Sequence, residues 1–208
     1  MNYLEALEKR YAVKKFNGEK IPDQKLENIL KAGRLSASSL GLQPYQVFVI
    51  RSQEKLNSLI PAFFNPSQIS TCSDLIVICS KSTIEEQYLD NYFEHITKER
   101  ETPKESLTGF RNSIESFIKS SPLDSQKHWI EHQAYILLGS LLFASAMEQI
   151  DSCPMEGFNK QKLGELLNLD PSELSPTVCI TLGYRSEEDH FQHLKKVRKP
   201  NEKLFKYF

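Results

Sequence analysis

"AYILLGSLLFASAM", residues 134–147, is apolar on every helical face, inside a longer pattern running over about 125–149. A surface helix keeps one polar face toward water, so an all-round apolar helix predicts a segment enclosed by protein on all sides. The other elements are expected to be arranged around it. Upstream, "YQVFVI" (45–50) and "DLIVICS" (74–80) are β-branched runs that predict largely buried strands. A helix is expected between them at about 53–62, with Ser52 as its N-cap. Polar helices are expected at about 84–100 and 104–119, and a third strand at "TVCITLGY". Near the N-terminus, Leu4, Leu7 and Tyr11, then Leu26, Ile29, Leu30 and Gly33, fall at helical spacing and predict two amphipathic helices. Strands are few and helices cluster between the second and third, which predicts an α+β sandwich with a small mixed sheet rather than doubly wound alternation.

The 208 residues suit one domain, and no linker or internal repeat divides them. The formal charge of −1 leaves no overall field for a nucleic-acid backbone or an anionic membrane. No run approaches the ~18 apolar residues of a spanning helix, and the N-terminus lacks a signal-peptide core, so a cytoplasmic protein is expected. Cys72, Cys79, Cys153 and Cys179 are widely spaced without a CxxC pair. They are expected to be free thiols, with Cys153 read as a buried inert thiol in preference to a reactive one. The tail "RSEEDHFQHLKKVRKPNEKLFKYF" (185–208) is polar and basic, and its final aromatic residues have no evident place in this chain's own core.

His128-Trp-Ile-Glu131-His132 matches H-x-x-E-H, but the motif is short, lacks an assigned third ligand and opens a helix where solvated His and Glu are ordinary, so no metal is expected. Neither glycine-rich phosphate loop is present, and side chains must therefore hold any bound phosphate. Two clusters are candidates: Arg10 with Lys14 and Lys15, and Lys195, Lys196, Arg198 and Lys199. An Arg fork beside a mobile ammonium suits a phosphate, although either cluster alone also reads as solvated surface. Ser38 and Ser39, followed by Gly41, either end a helix or face a polar ligand; Asn65 before Pro66 is either a turn residue or an amide for a planar heterocycle. "SCPMEGF" (152–158) puts Glu156 between Met155 and Phe158 at a turn that looks set against the core, where an unpaired carboxylate is costly.

In this order, "EALEKRYAVKKF", "SASSLGLQPYQVFVI", "FFN", "HQAYILLGSLLFAS", "PMEGF", "LGYRSEEDHF" and "LKKVRKP" resemble the FMN-dependent nitroreductase family, in its branch of oxygen-insensitive NAD(P)H nitroreductases and dihydropteridine reductases. The resemblance runs nearly end to end. It implies an intertwined homodimer of α-β-α sandwiches with flavins at the interface and residues 186–208 packing on the partner subunit. Arg10, Lys196 and Arg198 would hold the FMN phosphate. Lys14 and Asn65 would face the ring, Glu156 and Gly157 would present N–H groups to N5 and O4, and Ser38 and Ser39 would serve the opposite flavin. Tyr11, Ala12, Gly41, Gln68 and Pro154 complete the implied cofactor set, with Glu156, Gly157 and Lys14 as its catalytic members. The implied activity is NAD(P)H oxidation with two-electron transfer through N5 to nitroaromatic, quinone or dihydropteridine acceptors, by a ping-pong mechanism. Ene reduction, dehalogenation, flavin reduction or FMN binding without turnover are the alternatives. Ala12 replaces a serine common in the family, Leu40 and Gly41 a polar pair, Tyr45 a tryptophan, and Gln68 a second lysine near the flavin.

Overall fold

The computed structural model describes residues 2–208. Its core is a four-stranded sheet of β1 (Tyr45–Ile50), β2 (Asp74–Lys81), β3 (Asp151–Met155) and β4 (Leu174–Gly183), in the order β1-β2-β4-β3. Ile76 faces Ile180 in the central pair, and Val47 faces Ile78 across β1 and β2. Every ladder is antiparallel, which corrects the mixed sheet expected above; the parallel pairing among the described residues is an isolated bridge from Ala12 to Ser152. Strand direction is set by how the connections travel, which propensity does not encode.

Side chains alternate across β2 and β4 and build a core on each face. On one face Ile76, Ile78, Val178, Ile180 and Leu182 pack under α2 (Asp23–Arg34) and α7 (Leu123–Met147). On the other, Leu75, Val77 and Cys179 pack with Leu56, Leu59, Ile69 and Leu163 from α3 (Gln53–Leu59), α4 (Pro66–Thr71) and α8 (Lys160–Leu166). The result is an α-β-α sandwich. A third cluster around Phe93, Ile114 and Ile130 joins α5 (Glu86–Arg100) and α6 (Thr108–Ser120) to the first half of α7. The helix α1 (Tyr3–Lys9) starts on a capping box, in which Asn2 accepts the N–H of Glu5 and Glu5 accepts that of Asn2. Ser52 caps α3 as expected, accepting from the Lys55 N–H.

Two features lie beyond what local pattern determines. β3 was not foreseen as a strand because Pro154 removes a ladder donor, and this is tolerated because β3 lies at the sheet edge. α7 is not enclosed on all sides by its own chain. Leu137, Leu138 and Leu141 are buried, whereas Tyr135, Ile136, Phe143 and Met147 form a stripe 40–45% exposed. The residues of α2 do bury the face read from their spacing, and at Gly33 the approach to α7 is so close that a Cβ would stand 2.7 Å from Leu141 Cδ2.

Candidate active site

The N-terminal segment between α1 and α2 and the C-terminal arm meet over β3. Arg10, Tyr11, Ala12 and Lys14 from one side, and Arg185, Lys195, Lys196 and Arg198 from the other, line an open cleft of about 540 Å³. Asp189, buried, ties the two sides together by accepting the N–H of Lys14 at 2.7 Å, of Lys15 at 3.3 Å and of Phe191 at 3.1 Å. Burial acts to raise its pKa, but those amide donors prevail and hold the carboxyl below its usual range. Arg185 pairs with Asp151 and lies over the Tyr11 ring, 4.6 Å from its centroid. Burial, then the Asp189 carboxylate, keep the Tyr11 phenol protonated well above its usual range.

Three cations of this cleft, Arg10, Lys196 and Arg198, are crowded together with no carboxylate ion pair among the described residues. Lys196 Nζ donates to the carbonyls of Leu7 and Arg10, at the C-terminal end of α1. Its pKa is lowered by burial first, then by Arg10 and Arg198. Arg10 is likewise lowered, by burial and then by Arg198, and its Nη1 is buried with no hydrogen-bond partner among the described residues. Three converging cations, one with an orphaned donor, make a site that an anion would complete. The terminal phosphate of a mononucleotide fits both the charge and the donor set.

Lys14 lines the same cleft and reaches toward β3, where its Nζ lies 3.8 Å from Cys153 Sγ. Beyond β3 the chain turns outward: Met155 and Phe158 are buried, but Glu156 and Gly157 are exposed. The carboxylate expected to be hemmed in is thus solvated, and it accepts a hydrogen bond from the Tyr135 hydroxyl of α7. The Gly157 carbonyl accepts from the Phe64 N–H at 2.9 Å, which draws Phe64 and Asn65 to the same turn. The N–H groups of Glu156 and Gly157 have no acceptor among the loop and turn bonds of the described residues. Asn65 precedes α4 with its side chain exposed and making no cap bond.

Gln68 does not line the cleft. It is 4% exposed, and its amide donates to the Val13 carbonyl at 3.0 Å and to Cys153 Sγ, so it stands beneath Lys14 rather than in the cleft. Sequence placed it one helical turn after Asn65 but could not say which way it pointed. Cys153 is 1% exposed; burial raises its pKa, against the opposing pull of Lys14, Gln68 and Arg10.

Ser38, Ser39 and Gly41 are absent from the lining of this cleft. They form a tight loop before β1 in which Leu40, Gly41 and Gln43 all have positive φ. Such backbone persists only where it is over-determined. Here Gln133 of α7 accepts the Ser39 N–H at 2.7 Å, Tyr92 of α5 donates to the Leu40 carbonyl at 2.7 Å, and Tyr88 donates to those of Leu42 and Gln43. These three clamping residues were not singled out from the sequence. His128 and His132 are exposed on α7, Glu131 pairs with Lys160, and no group of three potential metal ligands converges among the described residues.

The sequence profile of the nitroreductase family matches residues 7–184, a span that includes Arg10, Lys14, the Glu156 turn and all four strands. The chain belongs to the nitroreductase family. A relative from Staphylococcus haemolyticus, provisionally named an NAD(P)H nitroreductase, is 31% identical over 207 residues, covering 95% of this chain and 93% of its own. Among solved structures, a provisionally named nitroreductase from Exiguobacterium sibiricum, in complex with FMN, superposes with TM-score 0.87 at 20% identity, over 100% of this chain and 98% of that one. A provisionally named NAD(P)H:FMN oxidoreductase from Staphylococcus epidermidis gives 0.85 at 20% identity, over 100% and 96%. At that identity the two structures speak to the fold, which is the nitroreductase fold. No helix of the described residues is long and apolar enough to cross a membrane.

Proposed function

We propose that this nitroreductase-family chain is an FMN-dependent NAD(P)H oxidoreductase acting on nitroaromatic, quinone or dihydropteridine acceptors. The observation that carries the reading is the unpaired cation cluster of Arg10, Lys196 and Arg198, with the orphaned Nη1 of Arg10, in the cleft that Lys14 also lines. Arg10 and Lys196 would grip the terminal phosphate and Arg198 would reach it from the C-terminal arm, with charge-assisted bonds replacing the mutual repulsion of the three cations. When bound, FMN supplies two-electron exchange between a pyridine nucleotide and an acceptor; the protein supplies position and field. Lys14 would place positive charge at the ring end of the cleft, where it favours a more anionic bound species. The free N–H groups of Glu156 and Gly157 would orient a planar ring by its polar edge, while the Tyr135 hydroxyl holds the Glu156 side chain aside.

A homodimer belongs to this proposal. The exposed stripe of α7, the exposed Tyr3, Leu4 and Leu7 of α1 and the exposed Phe205, Tyr207 and Phe208 of the arm are apolar surfaces that a second copy would cover. Ser38 and Ser39, which do not line the chain's own phosphate cleft, would then serve the partner's cofactor.

The test is direct. Purified protein titrated with FMN should quench flavin fluorescence at about one equivalent per chain, and should oxidise NADPH or NADH in the presence of menadione or a nitroaromatic. Failure to bind FMN sinks the proposal. Binding with flavin bleaching by pyridine nucleotide, but no turnover with any acceptor, would instead leave a flavin-binding protein.

A further inference from the structure

Behind the cleft lies a polar cluster that no part of the phosphate grip uses. Gln68 and Cys153 are almost completely buried, and each is engaged by the other: the Gln68 Nε2 donates to Cys153 Sγ and, at 3.0 Å, to the carbonyl of Val13, the residue before Lys14. Cys153 Sγ also lies 3.8 Å from the Lys14 ammonium, within reach of a weak N–H···S contact. Gln68 therefore holds Lys14 twice, through the backbone at Val13 and through the sulfur that receives the ammonium. Burying an amide costs free energy unless its donors are used, and here both are.

We propose that Gln68, acting through Cys153 and the Val13 carbonyl, is a positioning residue that aims the Lys14 ammonium into the cleft. The inference rests on the FMN reading above. Lys14 is the group that touches the cofactor; Gln68 and Cys153 work behind it. A neutral amide at this position then fixes the location of the positive charge and adds none of its own. A lysine at this place would add a positive charge of its own.

Two measurements test it. In the FMN-loaded protein, Gln68→Leu should lower the affinity ratio for reduced over oxidised FMN about tenfold, read by equilibrium dye titration as a two-electron potential about 30 mV lower. Cys153→Ala should shift it in the same direction, and the two changes together should give less than their sum. In a Lys14→Met background Gln68→Leu should move the potential no further, because the charge it aims is gone. An unchanged potential in Gln68→Leu, or an equal shift in the Lys14→Met background, would overturn the proposal while leaving FMN binding intact.

The second measurement needs no flavin and no buried substitution. In the apoprotein, ¹³Cβ NMR should place the Cys153 thiol titration at higher pH in Lys14→Met than in the unsubstituted protein, since the ammonium opposes the effect of burial. An unmoved titration would mean that Lys14 does not rest on Cys153 and would overturn the proposal whether or not FMN binds. If the unsubstituted protein binds no FMN, the cofactor reading fails on its own evidence and the positioning role falls with it.

Discussion

The carboxylate of Asp189 accepts the backbone N–H of Lys14 at 2.7 Å across 175 residues of chain. This bond joins the N-terminal segment to the base of the C-terminal arm. Asp189→Asn would turn an NH₂ toward amide donors and leave at least one of them unsatisfied, at a cost of roughly 1–3 kcal/mol. Thermal unfolding should report a fall of several degrees.

The same residue sets a pH dependence. Its folded-state pKa lies below the unfolded carboxylate value of about 3.9, so its stabilisation is complete above that value and is lost as pH falls through the lower, folded one. Melting temperature measured from pH 7 down to pH 3 should therefore drop more steeply below about pH 4 in the unsubstituted protein than in Asp189→Asn. Parallel acid limbs would remove Asp189 from the account.

Arg10→Ala should weaken FMN binding by ten- to a hundredfold, the equivalent of roughly 1.5–3 kcal/mol for one charge-assisted bond. In the apoprotein the same substitution removes a cation crowded by Arg198 and Lys196, so apo stability should fall far less than cofactor affinity. Fluorescence titration and apo calorimetry separate the two. A variant with full FMN affinity would show that Arg10 does not hold the phosphate.

Gly41→Ala should disorder the Ser38–Ser39 loop. Gly41 has φ of +72°, and a Cβ there would stand 2.7 Å from the Tyr92 hydroxyl that clamps Leu40. Adding Tyr92→Phe should recover part of the lost stability by removing the clash, leaving the left-handed backbone cost of roughly 1–2 kcal/mol. Equal melting temperatures for Gly41→Ala and the double variant would show that the steric term is absent.

Ile136→Asp tests the dimer. Ile136 is 45% exposed in the centre of the apolar stripe of α7, so a buried carboxylate would arise only if a second copy covers it. Sedimentation should shift from dimer to monomer, with flavin retention falling in parallel. Deleting residues 201–208, whose aromatic side chains are exposed on their own chain, should act in the same direction. A monomeric, fully flavin-loaded unsubstituted protein would refute the arrangement.

The sequence alone was enough to find β1, β2 and β4, the long helix and the buried face of α2, because each is written in a local period or cap. The strand β3 escaped because its one decisive residue, Pro154, argues against a strand everywhere except at a sheet edge, and edges are a property of the assembled sheet. The apolar circumference of α7 foretold burial but not by what; its own chain covers only part of it. Residue types likewise nominated Arg10, Lys196 and Arg198, and the fold alone brought Lys196 to the Arg10 carbonyl across 186 residues. For Gln68 and Glu156 the positions were legible and the directions were not. Gln68 turned inward to Cys153 and Glu156 outward to Tyr135, because a side chain's direction follows from the φ/ψ and packing of the whole turn, whereas a motif records only spacing.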